Sequence, residues 1–140
     1  MAAAGIGEVQ MPAKLTTNAI RLIEGKNFAH LATLVPDGSP QVTPVWIDRE
    51  GDVILANTAA GRVKQKNTAR DNRVAISIAN QDNPYEKVVI RGRVIAQTFE
   101  GAEAHIDKLA MKYTGAKKYQ RSRPGEKRII IKIEPLRIVS

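Results

Sequence analysis

The chain has 140 residues, the span of one ordinary domain, and no cysteine, so disulfides, thiolate metal ligands and thiol chemistry are excluded. Its 22 Lys and Arg against 14 Asp and Glu leave a formal charge of +8, which favours an anionic partner: nucleic acid, an acidic membrane face or a phosphorylated small molecule. Only 4% of residues are aromatic, few for the base stacking that single-stranded nucleic acid requires, which weakens the nucleic-acid reading.

Met1 to Gln10 carry neither a basic start nor a long apolar run, which predicts no secretory signal, no membrane span and a cytoplasmic address. Residues 1–14, rich in Ala and Gly with Pro12 near their end, read as a flexible arm, and residues 15–140 as the folded domain. Thr16 or Thr17 caps a short helix whose apolar side is Ile20, Ile23 and Leu22 and which Gly25 ends. Phe28–Val35 and Pro40–Asp48 flank the turn Pro36-Asp37-Gly38 as a β-hairpin. A second turn, Arg49–Asp52, leads to a strand at Val53–Asn57, then a basic helical stretch, then a strand at Arg73–Ala79.

Lys87–Ala96 alternates, with Val88, Ile90, Gly92, Val94 and Ala96 on one face, and Gly92 within it predicts a bulge or barrel corner. From Gly101 to Tyr113, helical spacing aligns Ala102, Ile106, Leu109, Ala110 and Tyr113. A last strand, Arg128–Glu134, is expected to stop at Pro135. Six short strands, two or three helices and no βαβ alternation predict a mainly β fold, a six-stranded antiparallel barrel, closed or split.

The chemistry concentrates between Thr58 and Asn67. This segment follows a strand and opens a helix, so its free backbone N–H groups favour an anion. Yet Arg62, Lys64 and Lys66 crowd its first turns, where the positive end of the helix dipole prefers acids, and Arg62 and Lys66 are like charges four residues apart. Each misplacement costs a few tenths of a kcal/mol, and a docked phosphate reverses the sign of every one. A solvated basic face is the competing explanation of equal weight.

Pro44, inside Gln41–Trp46, cannot donate to a ladder, so that strand lies at an edge or is irregular and leaves backbone groups free for a planar ring. Trp46, the one tryptophan, is a candidate for the substrate pocket, although core filling is the commoner role. His30 and His105 sit on different elements without nearby carboxylates at ligand spacing, so no metal site is expected. No nucleophile triad has motif support. Residues 115–128 form a basic loop with one acid, Glu126, either a solvated loop or a seat for an extended polyanion.

These residues reach a recognisable pattern. Leu31-Ala32-Thr33-Leu34 with Asp37-Gly38, Pro44-Val45-Trp46, Thr58 with Gly61-Arg62-Val63-Lys64, Asn67, Arg70-Asp71, Arg73-Val74-Ala75, Ile90-Arg91-Gly92, and Leu109 with Lys112–Gly115 give a chain that resembles the split-barrel flavin and deazaflavin oxidoreductases related to pyridoxamine 5'-phosphate oxidase. The resemblance spans about Leu15 to Ile138 and is closest to the branch that uses coenzyme F-420, a deazaflavin with a phosphate and an oligoglutamate tail. It implies an FMN-binding type of split barrel and hydride transfer between F-420 and a small unsaturated or nitro-type substrate. FMN is the alternative cofactor, and a non-catalytic flavin, deazaflavin or tetrapyrrole carrier the alternative role.

The same resemblance places the cofactor phosphate at Thr58, Gly61, Arg62 and Lys64 with Lys66 nearby, and the ring against Thr43, Pro44 and Val45. It implies a homodimer with the cofactor at the subunit interface, where Tyr85, beside Pro84, meets the partner's cofactor and joins Trp46 as a substrate-pocket candidate. Asn72 departs from the family's frequent proline there and affects only the helix stop. No catalytic acid or base is supplied by the resemblance.

Overall fold

A computed structural model of the chain describes residues 10–120 and 123–140, so residues 1–9 of the expected arm and Arg121 of the basic loop lie outside it. The elements in order are α1 (Thr17–Glu24), β1 (Ala29–Leu34), β2 (Pro40–Val45), β3 (Ile47–Glu50), β4 (Val53–Ala59), α2 (Val63–Arg70), β5 (Arg73–Ala79), β6 (Lys87–Thr98), α3 (Ala102–Thr114) and β7 (Arg128–Val139). The strands form one antiparallel sheet in the order β2-β1-β5-β6-β7-β4-β3.

That order explains the shape. Strands β2 and β3 lie at opposite edges of the sheet, yet Trp46 alone separates them in the chain. The sheet therefore curls until its two edges approach, giving a barrel split between β2 and β3. Pro40–Asp48, expected as one strand, is thus two, and the strands number seven rather than six. Pro44 belongs to the edge strand β2, where a missing N–H is tolerated.

Two further departures trace to bulges in the β6–β7 ladder. The register shifts between Arg91 and Gly92, and Pro135 pairs with Gly92 there, so β7 runs through Pro135 to Val139 instead of stopping. A proline is tolerated where the ladder is already interrupted. A second shift between Val94 and Ala96 resets the alternation, which leaves Ala96 exposed rather than on the inner face. Gly92 meets the bulge expected of it. A Cβ there would fall 2.7 Å from the Glu134 carbonyl oxygen and 3.0 Å from Ile133 Cγ2, so the two strands approach too closely for any side chain.

The core lies inside the barrel, where Leu31, Ile54, Ile76, Ile90, Ile131 and Ile133 meet. Helix α1, capped by Thr16 Oγ1 accepting from the Ala19 N–H at 3.1 Å, joins it through Ala19, Leu22 and Ile23. Helix α3 buries all five residues of its expected apolar stripe. Helix α2 differs: its buried residues are Asn67 and Thr68. Hydrogen bonds dock it, with Asn67 Nδ2 donating to Thr33 Oγ1 at 3.1 Å and Gln97 Nε2 to Thr68 Oγ1 at 2.8 Å. Among the described residues no helix is long and apolar enough to cross a membrane.

Candidate functional site

Strand β4 carries Thr58 to its end, and the chain turns at Gly61, whose φ of 91° is a left-handed conformation that glycine adopts without strain. Arg62 then caps α2 without using its side chain on the helix. The backbone N–H groups of Val63, Lys64 and Gln65 find no acceptor among the described residues, as expected of an uncapped first turn. Opposite this turn stands the segment Arg123–Lys127, and the Ala60 N–H donates to the Lys127 carbonyl at 2.8 Å.

Two cavities open here. The larger, about 690 Å³, is lined by Thr33, Gln41, Thr43, residues 59–64 and residues 123–127. The smaller, about 200 Å³, is lined by Phe28, Pro44, Val45, Trp46, Asn57, Thr58, Ile106, Tyr119 and Arg128. Arg62 and Lys64 line both, so they stand at the junction.

The electrostatics of that junction are unbalanced. Arg62 Nη2 pairs with Glu126 Oε1 at 2.8 Å, and the other oxygen of Glu126 holds Arg128 Nη1 at 2.9 Å. Lys64 has no acid: among the described residues its ammonium makes no ion pair. Burial pushes its pKa below the usual lysine value, and the charges of Arg62 and Arg128 push the same way. The Thr58 hydroxyl, buried at the wall of the smaller cavity, has no hydrogen-bond partner among the described residues. A half-buried cation among cations, an orphaned hydroxyl and three free N–H groups fit the oxygens of a phosphate.

Of the residues singled out in the sequence, Thr43, Gly61, Arg62 and Lys64 line the larger cavity, and Pro44, Val45, Trp46 and Thr58 the smaller. Lys66 lines neither, because two residues beyond Lys64 it lies roughly 200° around the helix and faces solvent. Tyr85 is 87% exposed between β5 and β6, away from both cavities within this chain. The structure adds Asn57, Tyr119, Glu126 and Arg128. Their one sequence signal was the lone acid in the basic loop.

The aromatic wall of the smaller cavity is tightly built. Trp46 stacks on Tyr113 with ring centroids 5.3 Å apart and planes within 4°, and Tyr119 meets Trp46 edge-on at 6.1 Å. Tyr113 is fixed from behind: its hydroxyl donates to the Asn27 carbonyl at 2.8 Å and accepts from the Ile47 N–H at 3.3 Å.

A curled antiparallel sheet split between its two edge strands, beside an aromatic and cationic cavity pair, defines a split-barrel protein. The model of the pyridoxamine 5'-phosphate oxidase family matches residues 15–140, and the chain belongs to that family. Members of the family bind flavins. Among solved structures, an F-420 reductase is 30% identical, with 85% of this chain and 94% of that one covered and a TM-score of 0.74. A conserved hypothetical protein from Mycobacterium tuberculosis shares the fold at 22% identity, covering 94% and 88% with a TM-score of 0.66. General Stress Protein 26 from Bacillus anthracis does so at 16% identity, covering 86% and 88% with a TM-score of 0.63. No curated protein sequence matches the chain.

Proposed function

We propose that the chain is an oxidoreductase that holds the phosphate of coenzyme F-420 at Thr58, Gly61, Arg62 and Lys64 and passes a hydride between that cofactor and a small organic substrate. The observation that carries the reading is the half-buried Lys64 ammonium, which lines the smaller cavity together with Arg62 and Arg128 and makes no ion pair among the described residues. An anion bound there relieves all three charges at once. The bound cofactor would supply the hydride chemistry, and the protein supplies binding, orientation and exclusion of water.

The edge strand β2 offers its backbone at Thr43, Pro44 and Val45 to a planar ring, and Trp46 walls the space beside it. The likeness to an F-420 reductase at 30% identity supports F-420 over FMN, which the family's flavin binding keeps as the second candidate. A homodimer with the cofactor at the subunit interface belongs to the same proposal, since the family is typically dimeric. In that dimer Tyr85, exposed in one chain, is free to reach the partner's site.

Fluorescence titration of the purified protein with F-420 and with FMN separates the cofactors. Micromolar or tighter binding of F-420, followed by oxidation of its reduced form by enones, quinones or nitro compounds, supports the proposal. Tight F-420 binding without turnover leaves a carrier, and binding of neither removes the reading altogether.

A further inference from the structure

The guanidinium of Arg62 is aimed by a chain of hydrogen bonds that runs back into the barrel wall. Its Nη2 donates to Glu126 Oε1 at 2.8 Å, and Arg128 Nη1 donates to Glu126 Oε2 at 2.9 Å. Arg128 Nε donates to Asn57 Oδ1 at 2.9 Å, and Asn57 Nδ2 donates to the Ala102 carbonyl and faces His105 Nδ1, each at 3.0 Å. The side chains of Glu126 and Arg128 are each 3% exposed, whereas that of Arg62 is 38% exposed at the cavity junction. One end of the chain of hydrogen bonds is anchored on α3, and the other meets solvent at the cavity junction.

A fully buried ion pair is a poor device for stability, because desolvation offsets most of the attraction and apolar residues of like volume do as well. What it provides and apolar side chains do not is direction. The amide of Asn57 can sit only one way: turned over, its Nδ2 would face the Arg128 donor and its Oδ1 the Ala102 carbonyl. That fixed acceptor sets Arg128, Arg128 sets the Glu126 carboxylate, and Glu126 sets Arg62. The side chain of Arg62, partly exposed, lines both cavities.

We infer that Asn57, Arg128 and Glu126 form a positioning relay that aims Arg62 at an anion in the cavity junction, with Asn57 as its anchor. None of the three needs to touch the ligand phosphate for this. The inference rests on the phosphate reading proposed above.

The test measures discrimination for phosphate, taken as the dissociation constant of the bare ring divided by that of the phosphorylated cofactor. The ligands are riboflavin against FMN, or the phosphate-free deazaflavin core against F-420, whichever pair contains the cofactor that the wild-type protein binds. General loosening of the fold weakens both members of a pair and leaves the ratio unchanged. Arg62→Ala lowers the ratio about tenfold, and Asn57→Ala lowers it about three- to tenfold although Arg128 and Glu126 stand between Asn57 and Arg62 in the chain of hydrogen bonds.

In the double variant Asn57→Ala/Arg62→Ala the ratio falls no further than in Arg62→Ala, because the relay has nothing left to aim. Glu126→Gln, which keeps volume and one acceptor, gives a second route to the same loss if Asn57→Ala folds poorly. The relay is overturned if Arg62→Ala lowers the ratio while Asn57→Ala and Glu126→Gln leave it within about twofold of wild type, or if the losses multiply in the double variant. An unchanged ratio in Arg62→Ala itself contradicts the phosphate reading, and the relay falls with it.

Discussion

Arg62 and Lys64 line the same two cavities, but Arg62 pairs with a carboxylate, Glu126, whereas Lys64 makes no ion pair among the described residues. A charge placed this way costs the protein stability until a ligand arrives. Conflict between local preference and stability is what marks a functional position.

Lys64→Met therefore raises the melting temperature of the ligand-free protein by about 2 °C, from roughly 0.5 kcal/mol of relieved repulsion and desolvation. The same change weakens cofactor binding. Thermal melts with and without cofactor test both halves, and a ligand-free variant less stable than wild type argues that Lys64 is structural.

Gly92→Ala destabilises the fold by about 1–3 kcal/mol, since the new Cβ would fall 2.7 Å from the Glu134 carbonyl oxygen and must push β6 from β7. Urea denaturation reads the loss. A change below roughly 0.5 kcal/mol shows that the bulge relaxes freely.

Tyr113→Phe keeps the ring under Trp46 and removes the hydroxyl between Asn27 and Ile47, which leaves the Ile47 N–H short of its acceptor. The expected cost is about 1–2 kcal/mol with the fold retained. Denaturation followed by the fluorescence of Trp46 measures it at the site itself.

The state of His105 gives a pH dependence. The Asn57 amide donates toward Nδ1, which assigns the imidazole proton to Nε2, 3.6 Å from Asp48 Oδ2. Burial lowers the His105 pKa below its ordinary 6.5; Asp48 opposes that shift and Lys108 reinforces it. The unfolded chain thus binds this proton more readily than the folded one, and its contribution to stability is complete above about 6.5 and lost as the pH falls below it. Protonated Nδ1 would also face the Asn57 donor, so phosphate discrimination falls over the same range. His105→Gln flattens both dependences between pH 7 and about 5.5, and a variant that follows wild type across that range assigns the effect elsewhere.

Much of this was legible in the sequence where the pattern was periodic or chemically discordant. The α3 stripe from Ala102 to Tyr113 needed only helical spacing, and the misplaced cations of α2 drew attention to Thr58–Lys66, a segment that lines the two cavities up to Lys64 but not at Lys66. The break at Trp46 was not legible, because Pro40–Asp48 reads as one extended run and an exchange between sheet edges is set by distant strands. Pro135 and Ala96 were misplaced for a related reason: each depends on a bulge in the β6–β7 pairing, and a bulge belongs to two strands. Glu126 and Arg128 are two residues apart, but Asn57 lies on β4, and the convergence of the three requires the folded barrel. Arg128, where the basic loop meets the last strand, carried no sign in the sequence that it is buried.

The measurement that bears most directly on the cofactor site is the affinity of wild type, Arg62→Ala and Lys64→Ala for the cofactor and for the same ring without phosphate. Each substitution is expected to weaken the phosphorylated ligand about tenfold or more, in line with roughly 1.5–3 kcal/mol per charged hydrogen bond, and to leave the bare ring within about twofold. Equal affinities for the phosphorylated cofactor in all three proteins would contradict the placement of its phosphate at this junction.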